Sequence, residues 1–262
     1  MVLEKIISIK KAVKSPWWMF LIGGVVSVIC LAISFVIFPS SAGLFTVFLI
    51  TIVMTPFMLN LTRYDEARDE ELIKERKELG LFQRHKEILI IYTAFFVGMI
   101  LSFSIVFLLL PQSITQNLFE NQINEIKLIR GQATSPGGTL SAIVVNNIGV
   151  LFLAFLFSFL FGAGAIFILA WNASILATAI GMAAGSMGGI EGLPLAILAF
   201  FPHGSLEILA YFIGGIAGGL ISVAITRRNS KWSSFVFKDG FKLMMVSVVL
   251  LIVAGVIETF ES

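Results

Sequence analysis

Seven apolar runs dominate this sequence, and their lengths restrict what it can fold into. The hydrocarbon core of a bilayer is roughly 30 Å thick, so a helix rising 1.5 Å per residue needs roughly 20 mostly apolar residues to cross it. Runs of about that length or more extend from Trp17 to Phe38, Gly43 to Leu61, Ile88 to Leu110, Ser141 to Ala170, Asn172 to Gly189, Leu193 to Thr226 and Phe241 to Ile257. Apolar residues make up 58% of the chain and charged ones only 13%, against about a quarter charged in soluble domains. No water-facing shell can be assembled from that. In lipid every backbone N–H and C=O must pair within its own segment, which leaves helices as the spanning form for such runs. The expected fold is therefore all-α, a polytopic helical membrane protein with about seven transmembrane helices, and a soluble enzyme or a nucleic-acid binder is excluded. The lone cysteine, Cys30, lies inside the first run and offers neither an intramolecular disulfide nor a zinc set. That run also outlasts the roughly 7–15 residues of a secretory signal core, so it is read as a retained span.

Sorting the 18 Lys and Arg by flank orients the spans. With the N-terminus in the cytoplasm, Lys5 to Lys14, the run from Arg63 to Lys86, and Arg227 to Lys242 fall on the cytoplasmic side, and only Lys127 and Arg130 fall outside. Such a bias is the positive-inside pattern. It predicts a multi-pass protein of the cell (plasma) membrane with a cytoplasmic N-terminus, and the tail from Glu258 to Ser262, which lacks basic residues, is expected to be extracytoplasmic. Residues 62–87 form the one dense charge run and read as a solvated cytoplasmic helix extending the second span, with Glu70, Lys74 and Glu78 spaced four apart. Over 112–140, Ile114, Leu118, Ile123, Ile126 and Ile129 recur at helical spacing ahead of the breaker stretch Ser135, Pro136, Gly137, Gly138. This describes an amphipathic helix on the outer leaflet, or else a docking surface for an extracytoplasmic partner.

The first three spans carry no charge and read as scaffold, whereas residues 141–226 hold groups that lipid does not tolerate. Asn146 and Asn147 lie near the start of the fourth run, Trp171 and Asn172 mark the turn into the fifth, and Pro202, His203, Gly204 and Glu207 interrupt the sixth. As unbroken helices the fourth and sixth runs would reach about 45 and 50 Å, beyond the core thickness. Breaks are expected near Gly162 to Gly164 and at Pro202 to Gly204, giving broken or re-entrant helices in the C-terminal half with 193–201 as a re-entrant or interfacial piece. His203 and Glu207, four apart at the restart, would share a face. An ionisable residue in a membrane is a functional hypothesis by default. Its plainer use is a mutual hydrogen bond between His203 and Glu207, or a Glu207 bond to Asn146, Asn147 or freed backbone, that locks the broken helix; proton or cation handling is the alternative. His85, the other histidine, is expected on the opposite side, and no metal site, cofactor or catalytic residue is assigned. Four-residue spacing aligns Gly181 with Gly185, Gly214 with Gly218 and Gly215 with Gly219, and together with Gly162 these are assigned to close helix packing, within the chain or across a homodimer.

The order Asn146, Asn147, Gly162, Asn172, Gly181, then Pro202, His203, Gly204, Glu207, Ala210, Gly214 and Gly218 resembles the stage II sporulation protein M family of bacterial and archaeal multi-helix membrane proteins. The likeness covers about residues 140–226, and the proline, histidine, glycine, two spacers, glutamate order is its most specific part. Where the family usually has glycine after the turn asparagine, this chain has Ala173. The resemblance implies a role in envelope remodelling, where the sporulation member serves peptidoglycan-degrading partners as a membrane anchor. It also implies that Asn146, Asn147, Asn172, His203 and Glu207 form one cluster. Expected, then, are a three-helix scaffold over 1–110, an extracytoplasmic loop over 111–140 and a family-like membrane domain over 141–262. The expected function is that of a non-enzymatic membrane protein, in contact with the lipid bilayer, that anchors or organises other membrane or envelope proteins. The alternative is a transporter or channel for a small solute, ion or lipid, built on His203 and Glu207.

Overall fold

A computed structural model describes residues 7–74, 80–133, 139–161, 165–226 and 230–261. Its helices are α1 (Ile9–Lys14), α2 (Trp17–Ile37), α3 (Ala42–Lys74), α4 (Leu81–Arg84), α5 (Lys86–Leu109), α6 (Gln112–Leu118), α7 (Glu120–Ala133), α8 (Thr139–Phe161), α9 (Ala165–Ser186), α10 (Leu193–Thr226) and α11 (Ser230–Glu261), with no strand among the described residues. Turns of 3₁₀ helix at Pro39–Ser41 and Gly189–Gly192 lead into α3 and α10. Among the described residues seven segments are long and apolar enough to cross a membrane: Trp17–Ile37, Pro39–Asp65, Lys86–Leu109, Ile143–Phe161, Ala165–Ser186, Gly189–Ser222 and Val236–Thr259. The chain is thus a multi-pass helical membrane protein. Successive spans alternate in direction, which gathers Arg63, Arg84, Lys86 and Lys238 at one end of the bundle, the basic end. The turn at residues 38–42, α6 and α7 lie at the opposite end. Proline marks two helix starts, Pro16 before α2 and Pro111 before α6, where its missing N–H costs nothing. Gly188 and Gly189 close α9 with φ of 100° and 77°, a region that strains other residues.

Bare backbone lets these spans approach closely. A Cβ on Gly23 of α2 would strike the Phe95 carbonyl, and one on Gly98 of α5 would strike the Phe20 carbonyl. The N-terminal spans therefore use the packing device that was expected only beyond residue 160. In the C-terminal half Gly218 faces the Phe155 carbonyl, Gly214 faces Leu151, and a Cβ at Gly181 would come within 2.8 Å of the Phe107 ring. A Cβ at Gly215 would lie 3.2 Å from Ala165, whereas at Gly185 it would meet only Leu108 at 4.0 Å. Gly219 is buried on α10, and Gly162 lies outside the described residues. Helix α9 joins the two halves, touching α3 and α5 on one side and α8 and α10 on the other. One apolar core runs through both, from Met19 and Phe95 to Leu151 and Leu251. Phe212 of α10 meets Tyr92 and Phe96 of α5 at ring-centroid distances of 5.8 and 5.0 Å, so aromatic contact seals the junction.

Several expected boundaries change. Helix α8 ends at Phe161 and α9 begins at Ala165, so Trp171 and Asn172 lie inside α9 and mark no turn. Asn172 satisfies its amide locally, donating from Nδ2 to the Ile168 carbonyl one turn back at 2.8 Å, which helical geometry permits. The expected break at 162–164 falls outside the described residues, between two separate crossings. Helix α10 continues unbroken through Pro202, and 193–201 forms its first turns, not a separate re-entrant piece. A proline removes one backbone bond, and a span packed among neighbours tolerates that loss. Nor does α7 rest on lipid alone. It packs on α3, α8 and α9, and its Gln122, 1% exposed, donates to Ser174 Oγ of α9 at 3.2 Å.

Candidate functional site

Four helices bring polar side chains to a single cavity of about 180 Å³, near the end of the bundle away from the basic residues. Helix α8 contributes Ile143, Asn146 and Asn147, which share a face because residues three and four apart align on a helix. Helix α9 contributes Asn172 and Leu176, again four apart. From α10 come Phe200, His203, Glu207 and Tyr211, one stripe down a single face, and Glu258 arrives from the last turns of α11. Ile126 of α7 lines the space as well, so that helix forms part of its wall. Asn147 Nδ2 donates to Glu207 Oε1, tying α8 to α10, and Asn146 Nδ2 donates to Asn147 Oδ1 at 3.3 Å. The His203 ring lies 5.8 Å from that of Phe200. A volume of this size has room for about six waters, far less than a drug-sized ligand needs.

The structure places Asn146, Asn147, Asn172, His203 and Glu207 on this one cavity. Pro202 is exposed, and Gly204 is buried against Leu176, where a Cβ would sit at an ordinary 3.6 Å. Sequence reasoning missed Tyr211 and Glu258. Tyr211 could have been found, since it follows Glu207 by one helical turn in the same stripe. Glu258 carried no such signal, because only the folding of α11 against α10 brings it here. Toward the basic end the cavity stops. Residues 210–221 of α10 are all buried, with Gly214 against Leu151 and Gly218 against the Phe155 backbone.

A second polar constellation lies at the basic end. Arg84 Nη2 donates to Asp239 Oδ2 of α11 at 2.5 Å, and His85 Nδ1 pairs with Asp65 Oδ2 of α3 at 2.7 Å. These four side chains are 1–6% exposed. The Nε2 of His85 is buried with no hydrogen-bond partner among the described residues. Arg68 and Glu87 form a more exposed pair at 3.1 Å. The charge run read as a solvated helix therefore buries part of itself. Helix α3 does extend the second span as far as Lys74, but Asp65, Arg84 and His85 join it to α5 and α11 from within.

Comparison with known proteins fits this architecture. The family model described as stage II sporulation protein M matches residues 18–262, so the signal extends through the N-terminal spans as well as 140–226. An uncharacterized protein of Methanocaldococcus jannaschii is 29% identical over 124 residues, covering 45% of this chain and 68% of its own. No solved structure matches the chain.

Proposed function

The chain belongs to the stage II sporulation protein M family, and from that premise we propose that it is a non-enzymatic membrane anchor that organises envelope partners. One observation carries this reading: the Asn147–Glu207 bond and the glycine contacts beneath it lock α8 to α10, in a region that closes toward the basic end. A polar group inside a bundle that ends in tight packing works as a tie between helices, and a rigid bundle presents a constant surface to partners. The concentration of Lys and Arg at the basic end supports a cytoplasmic location for that end, which single-cysteine labelling at Lys86 and Lys127 would read. Asn147→Leu removes the donor and should cost about 1–3 kcal/mol, together with partners recovered by crosslinking in native membranes. A variant that melts like the parent and keeps its partners would remove the tie from the account.

The cavity itself favours a second reading, a transporter or channel for a small solute or ion. Polar and ionisable groups at a membrane-embedded cavity mark many substrate and ion pathways, and Glu207 lines such a space. Under this reading Glu207→Gln abolishes flux in proteoliposomes while leaving the fold intact. Flux equal to that of the parent rules it out.

A further inference from the structure

The bonds made around the cavity spend amide donors and leave oxygens unspent. Asn147 gives an N–H to Glu207, Asn146 gives one to Asn147, and Asn172 gives one to the Ile168 carbonyl. Outside those bonds are the second carboxylate oxygen of Glu207 and the carbonyl oxygens of Asn146 and Asn172. Tyr211, 4% exposed, lines the same space, as does the Glu258 carboxylate. Among the described residues no lysine or arginine does, and the one imidazole is that of His203. Among the described residues no three His, Cys, Asp or Glu side chains converge as a metal-holding group. Apart from the His203 imidazole, the donor set is carboxylate, carboxamide and phenol oxygen, which suits a hard cation more than a soft transition metal. A carboxylate among apolar spans calls for a compensating charge.

From this convergence we propose that the cavity binds one monovalent cation, held by Glu207 with the oxygens of Asn146, Asn172 and Tyr211. An alkali ion and the protonated group of a small amine share the chemistry required, a single positive charge that seeks oxygen acceptors. At about 180 Å³ the space admits an alkali ion with part of its water shell, or an amine of a few heavy atoms. The inference deepens the transport reading by naming its ligand class, and rests on that reading only in treating the cavity as a binding site.

The test uses the full chain in nanodiscs. Its melting temperature is measured in N-methylglucamine chloride, whose cation is too bulky for the cavity, and that salt is then replaced stepwise by NaCl, KCl or methylammonium chloride at constant ionic strength. A saturable rise with at least one of these is expected, because a ligand that binds only the folded state stabilises it. The salt that works separates ion from amine. Asn172→Ala, whose lost bond is local to one helix, should melt like the parent in N-methylglucamine yet bind about tenfold more weakly or worse, and Glu207→Gln should lose the rise. Equal melting in every salt, or a rise undiminished in both variants, overturns the proposal. A saturable rise without proteoliposome flux keeps the cation site and discards transport. Flux with no cation-dependent rise discards the cation site and keeps transport.

Discussion

At the basic end, Arg84 meets Asp239 and His85 meets Asp65 as pairs of opposite chemistry in direct contact. At the other end Glu207 takes its bond from an asparagine, beside an open space that a second carboxylate also lines. Both regions bury ionisable groups against several helices; in the first each carboxylate meets an arginine or a histidine directly, whereas Glu207 takes its bond from Asn147, with His203 lining the same cavity. A matched pair in a packed setting serves as a fastener, since its geometry leaves little for a ligand to add. An acid with amide neighbours and an adjoining void is incomplete by the same standard, and an occupant would complete it. The contrast separates a structural clasp from a site, and variants at the two ends should behave differently.

The largest effect is expected at the clasp. Asp239→Ala removes the carboxylate that faces a buried guanidinium 6% exposed, and breaking such a pair costs about 3–5 kcal/mol. Unfolding by SDS titration in mixed micelles measures it. The paired replacement Arg84→Met with Asp239→Leu should recover most of the loss, because removing both charges also removes the need for compensation. If Asp239→Ala costs only the roughly 1 kcal/mol of an ordinary substitution, the clasp is not a fastener and the contrast fails.

The packing between the two regions comes next in size. Gly218→Ala drives a methyl into the Phe155 backbone beneath the cavity, and overpacking of this kind costs about 1–3 kcal/mol. Gly185→Ala, whose new methyl would meet only Leu108 at 4.0 Å, should stay within about 0.5 kcal/mol of the parent in the same titration. Equal losses at the two positions would show that bare backbone on α10 is not what closes the cavity floor.

The spans were legible because crossing a bilayer sets a length that composition alone reports, and seven such runs survive as seven helices. Asn146, Asn147, His203 and Glu207 were legible for a related reason: polar groups stand out against apolar runs, and three- and four-residue spacings put them on shared faces. Pro202 misled, since proline reads as a breaker in isolation while α10 carries it within a packed span. Gly23 and Gly98 gave no repeating signal. Each is matched to a carbonyl on another helix, and only the crossing of α2 and α5 reveals it. The clasp was hidden most deeply. Arg84 and Asp239 are separated by 155 positions, and in sequence both belong to flanks that look solvated. Charge runs beside spans report orientation well; which of their members turn inward depends on tertiary pairing.

A smaller effect than at Asp239 or Gly218 should follow the neutralisation of Glu207. Glu207→Gln keeps a side-chain oxygen where Asn147 donates, so the bond between α8 and α10 can persist, although in neutral form. A neutral hydrogen bond contributes about 0.5–1.5 kcal/mol where one to a charged group contributes about 1.5–3. Against that loss stands the relief of placing one fewer charge near Glu258 in an apolar span, so the net change should fall within about 1 kcal/mol. Measured by SDS titration beside Asp239→Ala, this result marks Glu207 as a residue whose charge the fold does not require. A loss as large as that at Asp239 would mean that the cavity is fastened as the basic end is, and the two regions would then be structural alike.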